Sequence, residues 1–313
     1  MMKVVQTLMA QKAFPTGDPS FAVMQAWPGP FRTEASTDPF LMLDHFGPTK
    51  SKGVISDPDK FLVGWHPHRG MDICTYMRDG RGRHADSMGN RETFSSPGMQ
   101  WISVGSGIEH AEAGGTPAGE TEQGFQIWIN VPRSKKMADP RYGTHGPSSL
   151  PVLSGEGFAG RLLAGSVGGL QGPFETATNV EMIDITVEAG ATFRHTLDAV
   201  YDQSLIYIYK GEGTVNSARA STNSVLQLDA PNAATRGIEI VGAGSAGCSC
   251  MLFSGKRINE PIAWRGPFVM NTQRELEDTM MEMRRGTFPP VRVPWDYKKI
   301  GAFPPDHQCK DVT

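Results

Sequence analysis

His66-Pro67-His68 and, further along, His110-Ala111-Glu112 share the form ligand-x-ligand. Side chains of a strand alternate between its two faces, so residues i and i+2 project the same way. On a helix the same spacing would splay them apart. If both segments are strands, each pair points to one side, and the two sides brought together make one centre. Three imidazoles and a carboxylate would then converge. That set suits iron, manganese, nickel or copper better than a closed thiolate zinc site or an all-oxygen calcium cage. The alternative for each histidine alone is an unrelated core or surface residue, and the doubled spacing weighs against it.

The flanking text reads as strands. Asp72-Ile73-Cys74-Thr75-Tyr76-Met77 is rich in β-type residues, and Gly80-Arg81-Gly82 reads as a hairpin turn. Pro97-Gly98 marks a second turn, and Met99 to Val104 is a strand leading to His110. Pro67 donates no backbone hydrogen bond, which suits a strand start or a barrel rim. Glycine and proline, at 36 and 23 residues, punctuate the chain, and helical periodicity is scarce. Short strands between turns predict an all-β barrel architecture. The exception is Thr272-Gln273-Arg274-Glu275, a capping box followed by an apolar stripe of Leu276, Met280 and Met283 and a stop at Gly286. It predicts a helix over 273–285.

An internal echo supports duplication. Tyr76 to Gly82 is matched by Tyr207 to Gly213. Carried along without gaps, His66 maps to Leu197, His68 to Ala199, His110 to Val241 and Glu112 to Ala243, so the second copy retains no candidate ligand. His195 lies near this region and stands as a structural residue.

Gly64-Trp65-His66-Pro67-His68-Arg69-Gly70 resembles the "HPHRG" signature of the pirin family in the cupin superfamily. Asp86 to Asn90, Met99-Gln100-Trp101, Gly105 to Glu112, Gly124 to Asn130 and Asn259 to Asn271 follow in that family's order. The resemblance spans residues 20 to 286. It implies a bicupin: two face-to-face cupin β-barrels (double-stranded β-helices) with a short C-terminal helix. The expected division is 1–145 for the metal-binding barrel, 146–286 for a metal-free barrel with the helix, and 287–313 for a Pro-rich tail that resembles no family text. The resemblance further implies one divalent metal, most often Fe(II), with Mn, Ni, Cu, Co and Zn as alternatives, held by His66, His68, His110 and Glu112. It implies dioxygenation of a flavonol such as quercetin with O₂, with Glu112 also serving as base. A non-enzymatic reading, an iron-dependent transcriptional cofactor with a protein partner, uses the same ligands. Met71, Gln126 and Trp128 are candidate substrate walls or ordinary barrel packing. Where pirins commonly carry an aromatic residue and then Glu, this chain has Met71 and Asp72.

Composition narrows the rest. At 313 residues the length prior favours two domains. A formal charge of −3 gives no electrostatic case for nucleic acid, and no apolar run is long enough to span a membrane. Met1 to Ala10 reads as a strand instead of a secretory signal. Cys74, Cys248, Cys250 and Cys309 form no disulfide framework, which suits a reducing cytoplasm, or a nucleus. Gly242 to Gly247 matches G-x-G-x-x-G, but an apolar strand-like run follows where a dinucleotide site needs a helix. His84 and Asp86 read as a solvated hairpin arm, His145 as an exposed loop residue, and Lys135-Lys136 as too short a run for a nucleic-acid patch.

Overall fold

A computed structural model describes residues 1–17, 21–29, 31, 34–54, 63–229 and 236–298, with the backbone of 310–312. Cys309 lies outside the described residues. The described elements are strands, two short 3-10 turns and one helix. Contacts sort the chain into two compact units.

One unit gathers residues 15–21, 46–149 and 259–313. It holds two main sheets, antiparallel but for Lys310–Val312, which pairs parallel with Arg91–Ser95, and the small hairpin Ala263–Arg265 with Phe268–Met270. The first runs Arg91–Ser95, Arg81–Asp86, Ile108–Gly114, Val63–His68; the second runs Arg141–His145, Gly98–Ser103, Met71–Asp79, Thr121–Asn130 and the end of Phe40–Lys50. Gly80, at φ +88°, lets the chain turn from Met71–Asp79 into Arg81–Asp86, and a Cβ there would strike Thr116 Oγ1 at 2.4 Å. Asp72 is buried and accepts the indole N–H of Trp101 at 3.1 Å, so this acid is a packing partner of the wall.

The helix Gln273–Arg285 belongs to this same unit. Both capping-box bonds form: Glu275 N–H donates to Thr272 Oγ1, and the Glu275 carboxylate accepts from Thr272 N–H. Gly286 closes the helix in the left-handed region at φ 68°. Leu276, Met280 and Met283 pack on Phe268, Met270 and Phe288. A buried arginine fixes the helix: Arg69 donates to Ser106 O, Thr279 Oγ1 and Glu282 Oε2 at 2.7, 2.9 and 2.5 Å, and lies over the Phe288 ring. Lys136 is also buried, its ammonium donating to Gly70 O, Asn130 Oδ1 and Val269 O. The Lys135-Lys136 pair is thus no surface patch.

The other unit gathers residues 1–14, 22–45 and 150–258. Its main sheet runs Lys3–Met9, Ser224–Asp229, Gln203–Val215, Cys248–Gly255, Val180–Val187, Phe158–Ala164, Val152–Gly155. Alternate residues of these strands, Ile183, Ile185, Ile206, Ile208, Leu226, Leu228, Cys250 and Leu252, supply one aliphatic core with Leu197. Gly211, at φ +76° inside Gln203–Val215, sits where that strand leaves Cys248–Gly255 and takes up Gly237–Gly242. Cys248 and Cys250 are buried, and burial pushes the Cys248 thiol up to about 11. His195 is satisfied by the buried Glu181 carboxylate at 2.7 Å. The glycine run forms a strand-turn-strand: Gly237–Gly242, a turn with Gly244 and Gly247 at positive φ, then Cys248–Gly255.

The units do not follow a simple division in chain order. Lys3–Met9 pairs with Ser224–Asp229 and half-buries alternate residues, and the Leu276 stripe finds its apolar partners beside the histidine-bearing barrel.

Candidate metal centre

Both ligand-x-ligand segments are strands, and they are neighbours. Ile108–Gly114 pairs antiparallel with Val63–His68, setting His110 opposite His66 and Ile108 opposite His68. A register shift follows, so Glu112 faces Val63. On its other edge the strand pairs with Arg81–Asp86, setting His110 opposite Asp86 and Glu112 opposite His84. Residues directly opposite in an antiparallel pair share a face. One face of this sheet therefore carries His66, His68, His110, Glu112, His84 and Asp86.

The geometry is close. Nε2 of His66 and Nε2 of His110 stand 2.9 Å apart. Ring centroids of His66, His68 and His110 lie 4.3–4.9 Å from one another. Ligand atoms of these three residues fall within 4.8 Å, as do those of His84, His110 and Glu112. A Glu112 oxygen is 3.9 Å from His110 Nε2. The tautomers follow from the outer bonds. His66 Nδ1–H donates to Gly64 O at 2.7 Å, and His68 Nδ1–H donates to Pro267 O at 3.2 Å. Each leaves Nε2 with a free lone pair. His68 Nε2 is buried and has no hydrogen-bond partner among the described residues, and the same holds for Nδ1 of His110 and of His84.

These features fit a metal. Ligands about 2.1 Å from an ion and at right angles to each other stand about 3.0 Å apart. Burial, then the charge of His66, pushes the His68 and His110 imidazoles well below their usual range, which keeps them neutral and able to ligate. The Glu112 carboxylate accepts from Thr75 Oγ1 at 2.9 Å and from Gln126 Nε2 at 3.2 Å.

Of the three candidate wall residues, two reach the ligands. Gln126 bonds Glu112, and the Trp128 ring stands edge-on to His68 with centroids 5.1 Å apart. Met71 is wholly buried and shares the face of its strand with Thr75, four residues on, without a direct bond to a ligand.

The expectation of a solvated arm at His84 and Asp86 is overturned. Both are buried, at 3 % and 0 % exposure, because their strand lies inside the sheet and not at its margin. Asp86 accepts from His84 Nε2, Met88 N, Asn90 N and Asn90 Nδ2. His84 stacks on Tyr142 and stands 5.4 Å from the His110 ring. Its i,i+2 spacing from Asp86, the same as in the two ligand pairs, was the available signal. His145 ends the strand Arg141–His145, where burial lowers its imidazole, so it is no exposed loop residue. Sequence reading also missed Thr75, the Pro267 carbonyl and Trp264, which packs 5.9 Å from Trp128.

Residues 20–129 match the Pirin family, and residues 182–289 match the Pirin C-terminal cupin domain. A Pseudomonas aeruginosa protein provisionally named quercetin 2,3-dioxygenase PA3240 is 33 % identical over 260 residues, covering 80 % of this chain and 86 % of its own. The chain belongs to the pirin family. Pirin-like protein 2 of Arabidopsis thaliana is 32 % identical over 255 residues, covering 80 % and 75 % of the two chains. Among solved structures, a quercetin 2,3-dioxygenase from Acinetobacter baumannii superposes with a TM-score of 0.80 at 24 % identity, over 92 % of this chain and 99 % of that one. The bacterial pirin YhhW of Escherichia coli, solved in complex with nickel(II), superposes at 0.58 and 20 % identity, over 80 % and 100 %. These pirin and cupin neighbours share the two-barrel fold.

Proposed function

We propose that the chain is a metal-dependent dioxygenase acting on a flavonol such as quercetin, with His66, His68, His110 and Glu112 holding one divalent transition ion. The observation that carries the metal is the pair of Nε2 atoms 2.9 Å apart beside the unpartnered, buried Nε2 of His68. The relatives named for quercetin 2,3-dioxygenase supply the substrate class. Iron(II) leads, with manganese, nickel, copper, cobalt and zinc as alternatives. The ion would bring O₂ and the substrate together and acidify the substrate's hydroxyl.

The remaining work falls to side chains. Glu112 would take the hydroxyl proton, its carboxylate bonded by Thr75 and Gln126. Pro267 O fixes the His68 ring, and Trp128 packs against it, giving a flat aromatic substrate an apolar wall.

The test is incubation of metal-reconstituted protein with quercetin, with and without oxygen. The expected result is loss of the flavonol's visible absorption matched by O₂ uptake, in air only. Glu112→Gln at matched metal content should slow turnover by roughly 10²–10⁴. No turnover of quercetin or related flavonols with any of the six metals would refute the reading and favour the non-enzymatic cofactor.

A further inference from the structure

The segment after the helix, residues 287–298, runs beyond the family match, which ends at residue 289. It lies against the chain around both ligand strands. Phe288 packs on Phe268, and its ring fills the space where a Cβ on Gly107 would come within 2.5 Å. Val293 N–H donates to Ser87 O at 2.9 Å. Val293 and Trp295 side chains close on Gly89, 3.1 Å from where its Cβ would be. Tyr297 is 7 % exposed; its ring packs on Trp65 with centroids 5.5 Å apart, and its hydroxyl donates to Glu109 Oε2. Lys298 Nζ takes the other oxygen, Glu109 Oε1, at 2.8 Å.

The positions of Trp65 and Glu109 give these contacts a meaning. Trp65 directly precedes His66, and Glu109 directly precedes His110. Strand alternation puts each on the face opposite its neighbour. The segment therefore backs the ligand-bearing sheet while the imidazoles point the other way. One tyrosine touches both strands, through an aromatic contact on one and a hydrogen bond on the other. Burial, and then the Glu109 carboxylate, push the Tyr297 phenol up, so it remains a donor. Ligand orientation depends on such supporting contacts, and their loss costs about 10–100-fold in metal affinity.

We propose that residues 287–298 are a strap that positions the metal centre, with Tyr297, Glu109 and Trp65 as positioning residues that hold the strands of His66 and His110 at ligand spacing. The inference rests on the metal reading above but not on flavonol turnover. It predicts that the strap acts on metal affinity and coordination geometry, not on fold alone.

The test compares full-length wild type with Glu109→Gln, Tyr297→Ala and Tyr297→Phe. Affinity for nickel(II) and cobalt(II) is read by competition with a chromophoric chelator, geometry by the visible absorption of the cobalt form, and fold by thermal unfolding without metal. Glu109→Gln and Tyr297→Ala should bind about 10–100-fold more weakly, with an altered cobalt spectrum. Tyr297→Phe, which keeps the ring on Trp65, should weaken binding by less and serves should the alanine variant not fold. Wild-type affinity and an unchanged cobalt spectrum in both Glu109→Gln and Tyr297→Phe would overturn the strap, whatever happens to thermal stability. A wild type that binds neither metal would instead remove the metal reading itself.

Discussion

Replacing Asp44 by asparagine should change how stability depends on pH. Asp44 is 4 % exposed, on the strand Phe40–Lys50, and its one described side-chain bond comes from Gln25 Nε2 at 2.9 Å. Burial pushes its carboxyl from 3.8 up to about 6, against the smaller opposing effect of the Gln25 bond. The folded state thus holds a proton that the unfolded state has released across that window. Stability falls as pH rises from 3.8 to about 6 and is level above it. At about 1.4 kcal/mol for each tenfold change in proton activity, the full loss is about 3 kcal/mol, of which about 2–3 kcal/mol falls between about pH 4 and pH 7.5. The substituted amide would carry no charge at either pH. The stability of Asp44→Asn relative to wild type should therefore rise by about 2–3 kcal/mol between about pH 4 and pH 7.5. Any fixed cost of the amide cancels in that difference. Urea unfolding followed by tryptophan fluorescence is the assay; Trp27, buried against Phe253 at 5.0 Å, carries the part of that signal that comes from residues 1–14, 22–45 and 150–258. A difference that is the same at both pH values would refute the account of Asp44 as a desolvated carboxylate.

Two further outcomes are expected. Gln126→Ala should release one Glu112 oxygen and weaken metal binding by about 10–100-fold, read by chelator competition, with the metal-free fold retained. Arg69→Ala should lower stability by about 3 kcal/mol, the low end for breaking a buried ion pair because Glu282 keeps a third of its side chain in solvent; denaturant unfolding checks it, and a loss below about 1 kcal/mol would show the helix to be held by its apolar stripe alone.

Much of the centre could be read from the chain because its signals are local. An i,i+2 pair needs only a strand to bring its members to one face, and both pairs obtained one. The capping box at Thr272 and Glu275 is likewise complete within four residues. His84 and Asp86 carried the same spacing, but the turn glycines beside them suggested a margin. Only the pairing of Arg81–Asp86 with the ligand strand reveals an interior position. Arg69 and Lys136 were unreadable for a different reason: each side chain meets partners remote in sequence, so no local pattern announces it. The sorting of Lys3–Met9 with Ser224–Asp229 has the same cause.

The most direct test of the metal centre is anomalous scattering, at the absorption edge of the bound metal, from crystals grown of protein reconstituted with iron or nickel. One peak per chain is expected, about 2.0–2.2 Å from Nε2 of His66, His68 and His110 and from a carboxylate oxygen of Glu112. A fully occupied peak elsewhere in the chain, or none in protein shown to carry one metal per chain, would contradict it.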